Sequence, residues 1–274
     1  MATRRPCLGV FDSGFGGLTV LKEVVAMIPD ADYAYFGDTA RLPYGSKSAE
    51  TVARYAVGAA HYLEENGAEL LVIACNTATA LALDKISAAA HVPVIGVVEP
   101  GAACASVASK SRRVVVIATE ATIASHAYRK ALEQRGVEAK EKACPLLVPL
   151  VEEGWVEHPV TEQVAGIYLG EAFADGFQSA DVLLLGCTHY PLIKPLLRRI
   201  VPPHVAIVDS AESTASVVAE RLRLEPLTSP AGEERRALAR LRFFATDSTE
   251  KFRRLGARFL GHAIDDVQHV DLKE

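Results

Sequence analysis

The chain has 274 residues, half of them hydrophobic, and a formal net charge of −5. That length supports one large or two ordinary domains with a sizeable core, and the acidic balance argues against nucleic acid as a primary partner. No apolar run approaches the roughly 18–20 residues that span a bilayer, and Leu8 to Phe11 behind Arg4 and Arg5 is too short for a signal peptide, so a soluble, cytoplasmic protein with no membrane partner is expected.

Pro6 to Phe11 reads as a first strand, followed by Asp12-Ser13-Gly14-Phe15-Gly16-Gly17 and a helix from Leu18 to Ile28. Glycines between strand and helix let backbone approach an anionic ligand at the helix N-terminus. The dinucleotide fingerprint fails, however, because position 19 is Thr where the third glycine belongs. A strand from Tyr33 to Phe36 leads to Asp38 and the turn-rich loop Arg41-Leu42-Pro43-Tyr44-Gly45. A helix from Ser48 to Asn66 closes at Gly67. The buried strand from Leu70 then ends on Cys75-Asn76-Thr77, before a helix from Ala78 to Ala90 and a strand from Pro93 to Val98. The punctuation Val98-Glu99-Pro100-Gly101 reads as a crossing into a second unit.

The order then begins again. Arg113 to Ala118 is a strand, Thr119 to Thr122 its turn, and Ile123 to Gln134 a helix capped by Gly136. A weaker strand near Val137, the segment Pro145 to Gly154 and a helix from Val160 to Ala174 lead to a second buried strand from Val182. That strand ends on Gly186-Cys187-Thr188-His189, with a helix from Pro191. Asp12 and Cys75 are 63 residues apart, Thr119 and Cys187 68. Such near-equality is what two pseudo-symmetric α/β units produce. A strand from Val205 to Val208, a helix from Ala211 to Leu222 and a loop from Glu225 to Gly232 follow. Glu233-Glu234-Arg235-Arg236, with Arg240 and Arg242, reads as a solvated helix face leading into a strand from Leu241 to Ala245. A short helix from Glu250 to Leu255 and a strand from Val267 to Leu272 end the chain. The expected fold is α/β: two pseudo-symmetric domains, 1–98 plus 209–274 and 99–208, each a mostly parallel sheet flanked by helices, with an active site in the crevice between them.

Five cysteines without Cys-x-x-Cys spacing argue against a disulfide framework or zinc ribbon. Cys7, Cys104 and Cys144 read as small buried hydrophobes. Cys75 and Cys187 differ, because each ends a predicted parallel strand, where open α/β sheets bind ligands. A thiol acts as a base only as thiolate, which a helix N-terminus and a neighbouring proton acceptor favour. Both cysteines precede a helix, and His189 stands two residues beyond Cys187. Asp12, Asp38 and Glu152 are candidates to serve Cys75 or to hold a substrate ammonium. Ordinary packing remains the alternative for each cysteine alone, and a Cys75, Cys187, His189 zinc site is a minor one given the sequence separation.

Phe11-Asp12-Ser13-Gly14-Phe15-Gly16-Gly17-Leu18-Thr19-Val20, Arg41-Leu42-Pro43-Tyr44-Gly45, Cys75-Asn76-Thr77-Ala78 and Gly186-Cys187-Thr188-His189-Tyr190-Pro191 resemble the signature stretches of the bacterial glutamate racemases, within the cofactor-independent aspartate/glutamate racemase superfamily. The resemblance runs from the first strand to the last. One departure is Ala118-Thr119, where the family has Gly-Thr; a slightly tighter turn is expected. The resemblance implies a two-base racemisation in which Cys75 takes the proton from D-glutamate and Cys187 from L-glutamate, with Asp12 and His189 assisting. Asp12, Ser13, Pro43, Tyr44, Gly45, Asn76, Thr77, Thr119, Thr122, Thr188 and His189 would bind substrate, with Asp38 and Glu152 as supporting acids. No metal and no cofactor is implied, and no lysine stands in a strand-end motif to hold pyridoxal phosphate. A homodimer supplying D-glutamate to peptidoglycan synthesis completes the expectation. Aspartate racemase, and a non-catalytic ligand-binding module on the same fold, are the competing readings.

Overall fold

The computed structural model describes residues 5–224 and 240–272. The loop from Glu225 to Gly232 and the charged run Glu233–Arg236 lie outside them. Ten strands occur among the described residues: β1 (Cys7–Asp12), β2 (Asp32–Gly37), β3 (Leu70–Ile73), β4 (Val94–Gly96), β5 (Arg113–Ala118), β6 (Glu138–Ala143), β7 (Val182–Gly186), β8 (Ala206–Asp209), β9 (Leu241–Ala245) and β10 (Gln268–His269).

They form two parallel sheets, ordered β10-β9-β2-β1-β3-β4 and β6-β5-β7-β8. The inner four-strand order of the first, β2-β1-β3-β4, repeats in the second as β6-β5-β7-β8, so the two halves are built alike. Strands β1, β3 and β7 are buried along their whole length, which is why they read as unbroken apolar runs rather than alternations. Each fully buried aliphatic side chain there contributes about 1.5–3 kcal/mol. In each sheet the chain goes first to one side of the central strand and then to the other. The resulting crevice at the carboxyl ends of β1/β3 and of β5/β7 is where such sheets bind ligands.

Several elements differ from their sequence expectation for local reasons. The helix after β3 is Asn76–Ala89, beginning before Ala78 because Cys75 itself is the N-cap. Val98–Ala108 is a helix, not a linker. Pro100 falls in its first turn, where a missing N–H costs nothing. The helix expected from Ile123 to Gln134 is two, Glu120–Ser125 and Ala127–Glu133, broken at His126, whose φ of 55° is left-handed. Pro145 to Gly154 contains a helix, Leu147–Glu152. Strand β6, Glu-Ala-Lys-Glu-Lys-Ala, is an edge strand whose charged composition hid it. The last helix runs longer, Thr249–Leu260, and the last strand is only two residues. Cys7 and Cys144 are buried, but Cys104 is exposed, so the expectation of a core cysteine fails there. Arg242 is half-buried on β9 and donates to the Asn66 carbonyl at 2.7 Å, a packing role rather than a solvated one. No helix of the described residues is long and apolar enough to cross a membrane.

Candidate active site

Strand β1 ends on Asp12, and the turn from Ser13 to Gly17 feeds the helix Leu18–Met27. Asp12 is 1 % exposed; its Oδ2 accepts from the Gly14 N–H at 2.8 Å, while Oδ1 has no hydrogen-bond partner. Burial raises its pKa, against the lowering effect of the His189 charge and the Gly14 and Gly17 N–H groups. Gly17 is required here, since a Cβ would stand 2.5 Å from that of Asp12. A Cβ on Gly16 would overlap Thr188 Oγ1 and come within 2.6 Å of His189 Nδ1. The first turn of one sheet therefore sits directly on the cysteine turn of the other, and the Thr19 hydroxyl bridges them, 2.9 Å from the Gly16 carbonyl and 3.1 Å from that of Thr188. Gly16→Ala is expected to lower folding stability by about 1–3 kcal/mol through overpacking, read as a fall in the urea midpoint. An unchanged midpoint would mean the two turns separate freely.

Cys75 caps the helix Asn76–Ala89. Its Sγ accepts from the Ala78 N–H at 3.4 Å and donates to Ser13 Oγ at 3.6 Å. Burial, with the Asp12 charge adding, pushes this thiol up to about 12, outweighing the Ala78 and Ser13 bonds. Cys75 therefore rests as a thiol, an acid with a proton to give.

Cys187 is set differently. Its Sγ lies 3.9 Å from His189 Nδ1, and His189 Nε2 lies 3.1 Å from Glu152 Oε1. Burial alone would lower the histidine. Its hydrogen bonds and charge interactions with Cys187 and Glu152 outweigh that and raise it from 6.5 to about 10. Glu152 is lowered, burial being overcome by the His189 bond and charge. Phe259 packs edge-on against the imidazole, ring centroids 5.1 Å apart. The charged imidazole thus stands between the Cys187 sulfur and the Glu152 carboxylate.

Both cysteines line one cavity of about 340 Å³. Ser13, Pro43, Tyr44, Gly45, Asn76, Thr77, Thr119, Glu152, Thr188 and His189 line it with them. Three sequence candidates stand outside that lining. Asp12 lies behind the Ser13 turn as just described. Thr122 is fully buried and ties the other threonines together: Thr77, Thr119 and Thr122 hydroxyls lie 2.9–3.2 Å apart, joining elements of both sheets. Asp38 is not placed to serve a thiol, because both its oxygens are occupied. Oδ1 accepts from Arg41 at 2.9 Å and Thr246 at 2.8 Å, and Oδ2 from the Tyr44 hydroxyl at 2.6 Å. It holds the Tyr44–Gly45 loop against the cavity instead.

Sequence reasoning missed the wall formed by Leu42, Pro145, Val148 and Pro149, together with Gly14 and the polar Ser46 and Glu120. The proline-bounded run 145–149 was the available signal, but an apolar wall has no residue signature of its own. Thr119 caps the helix Glu120–Ser125, and Ala118, the departure from the family pattern, is fully buried at the end of β5. Among the described residues no group of three or more His, Cys, Asp or Glu is arranged to hold a metal ion.

Two like parallel sheets, each presenting a cysteine to one shared cavity, define an α/β protein with a ligand crevice lined by two thiols. Residues 9–218 match the Asp/Glu/Hydantoin racemase family, and the chain belongs to that family. It is 63% identical to a glutamate racemase of Koribacter versatilis, with 99% of each chain covered. Its fold matches crystal structures of glutamate racemase from Francisella tularensis in complex with D-glutamate (36% identity, TM-score 0.88, 98% of each chain) and from Thermus thermophilus in complex with beta-chloro-D-alanine (42% identity, TM-score 0.86, 99% of each chain).

Proposed function

We propose that this chain is a glutamate racemase that interconverts L- and D-glutamate by a two-cysteine mechanism without a cofactor. The observation that carries this reading is the cavity itself, to which Cys75 and Cys187 come from equivalent positions after β3 and β7. The α-hydrogen of an amino acid is a weak acid, so its removal needs a base on one face and an acid on the other. The unlike settings of the two thiols supply this pair. Cys187, beside the charged His189, takes the α-proton of L-glutamate, and Cys75 delivers its own to the opposite face, giving D-glutamate. After turnover the roles are exchanged, and D-glutamate meets Cys75 as base. Ser13, Asn76, Thr77, Thr119 and Thr188 offer hydroxyl, amide and backbone groups to the carboxylates, as does the backbone of Tyr44 and Gly45. Asp12, behind Cys75, and Glu152, behind His189, steady the charges that move. Excluding water from the small cavity strengthens the electrostatic interactions within it and strips a thiolate base of its hydration. The family likeness extends the reading to a cytoplasmic homodimer whose D-glutamate supplies peptidoglycan synthesis.

Purified protein is expected to abolish the circular dichroism of an L-glutamate solution with no addition, and neither pyridoxal phosphate nor a chelator is expected to change the rate. Decay with L-aspartate alone would move the assignment to the aspartate enzyme. A signal stable with both would leave a ligand-binding module.

A further inference from the structure

Asn76 follows the first cysteine and Gly186 precedes the second, and one fully buried side chain touches both: Tyr128, on the helix Ala127–Glu133. Its hydroxyl accepts from Asn76 Nδ2 at 2.6 Å, and Ser210 Oγ lies 3.4 Å from the same nitrogen. Its ring lies against β7 so closely that a Cβ on Gly186 would stand 2.9 Å from Cε2. On the other side, a Cβ on Gly101 would meet the ring at 3.4 Å. Asparagine in a first helical turn commonly bonds its own backbone. Here the amide is instead turned to Tyr128, and its Oδ1 is left buried with no hydrogen-bond partner although the residue is only 3 % exposed and lines the cavity.

We infer that Tyr128 is a positioning residue: its hydroxyl fixes the Asn76 side chain at the start of the helix that Cys75 caps, while its ring sets the spacing between the two cysteine turns. This rests on the reading of the cavity as an amino-acid site. The hydroxyl touches no reacting atom and acts only through Asn76. Losing it frees the amide to rotate, which weakens binding of substrate more than it slows proton transfer.

The test is a double-mutant cycle in the full chain with Tyr128→Phe and Asn76→Ala, reading KM and kcat in both directions. Tyr128→Phe is expected to raise KM about tenfold, the loss of roughly one buried hydrogen bond, with kcat changed less than about threefold. In the Asn76→Ala background Tyr128→Phe should add nothing. An equal further rise there would mean that the hydroxyl acts independently of Asn76, and an unchanged KM in Tyr128→Phe beside a raised one in Asn76→Ala would overturn the inference alone. If Asn76→Ala itself leaves KM untouched, the substrate reading of Asn76 falls with it. Should Tyr128→Phe not fold, hydrogen exchange of the Asn76 side-chain amide in the parent protein decides. Protection is expected, and exchange at the rate of an exposed amide would overturn the proposal.

Discussion

Replacing Cys75 or Cys187 by serine is expected to lower racemisation by about 10²–10⁴-fold, the usual contribution of a positioned acid or base. A hydroxyl is a far weaker acid than a thiol, and its alkoxide is scarcely populated near neutral pH. The two variants should differ in what they retain. With Cys187→Ser, slow exchange of the α-hydrogen of D-glutamate should persist through Cys75, and with Cys75→Ser that of L-glutamate through Cys187. In deuterated water the parent protein should place deuterium at Cα of nearly all first-turnover product, because the delivering thiol is not the one that took the proton. Early product that keeps its original hydrogen would point to a single base and sink the assignment.

Stability should fall as the solution is made alkaline, by on the order of a few kcal/mol. His189 is raised to about 10 in the folded chain, against 6.5 as its ordinary value. Between those limits the folded state holds a proton the unfolded state has lost, so the histidine's contribution is complete below 6.5 and disappears as pH rises through 10. The Cys75 thiol, pushed up to about 12 from 9.0, extends the same trend to higher pH. Urea midpoints at pH 6, 8 and 10 measure the slope. His189→Gln should flatten the lower part of the curve and leave the upper part. A variant with the parental slope would show that the proton is held elsewhere.

Much of this architecture could be read from the chain because its central strands are buried on both faces. Leu70–Ile73 and Val182–Gly186 are continuous apolar runs, and each announces its end with a cysteine. Edges and turns were less legible. Strand β6 carries four charged residues in six, and its pairing with β5 is backbone chemistry that side-chain pattern does not record. Pro100 and Gly101 looked like a break because composition alone does not distinguish a loop from the first turn of a helix. At the site, residues adjacent to the cysteines could be anticipated from sequence proximity. Val148 and Pro149, and the Tyr128 hydroxyl behind Asn76, arrive through tertiary packing. Asp38 carried the right chemistry for a supporting acid, but Arg41, Tyr44 and Thr246 take up its oxygens.

The first sheet is assembled from both ends of the chain: β9, from Leu241 to Ala245, lies beside β2, and β10 beyond it. The second sheet draws all its strands from one uninterrupted stretch, Arg113 to Asp209. During synthesis the order of completion is therefore the reverse of the order of the strands. The later-made sheet can close while the ribosome is still translating, whereas β2 emerges early and waits with an open flank for a partner more than two hundred residues downstream. That flank presents unpaired backbone groups beside Tyr33, Tyr35 and Phe36, all fully buried in the finished fold, and an unpaired edge of this kind is prone to wrong association. A nascent chain halted before Leu241 would thus hold Cys187 in a finished sheet and Cys75 in an unfinished one.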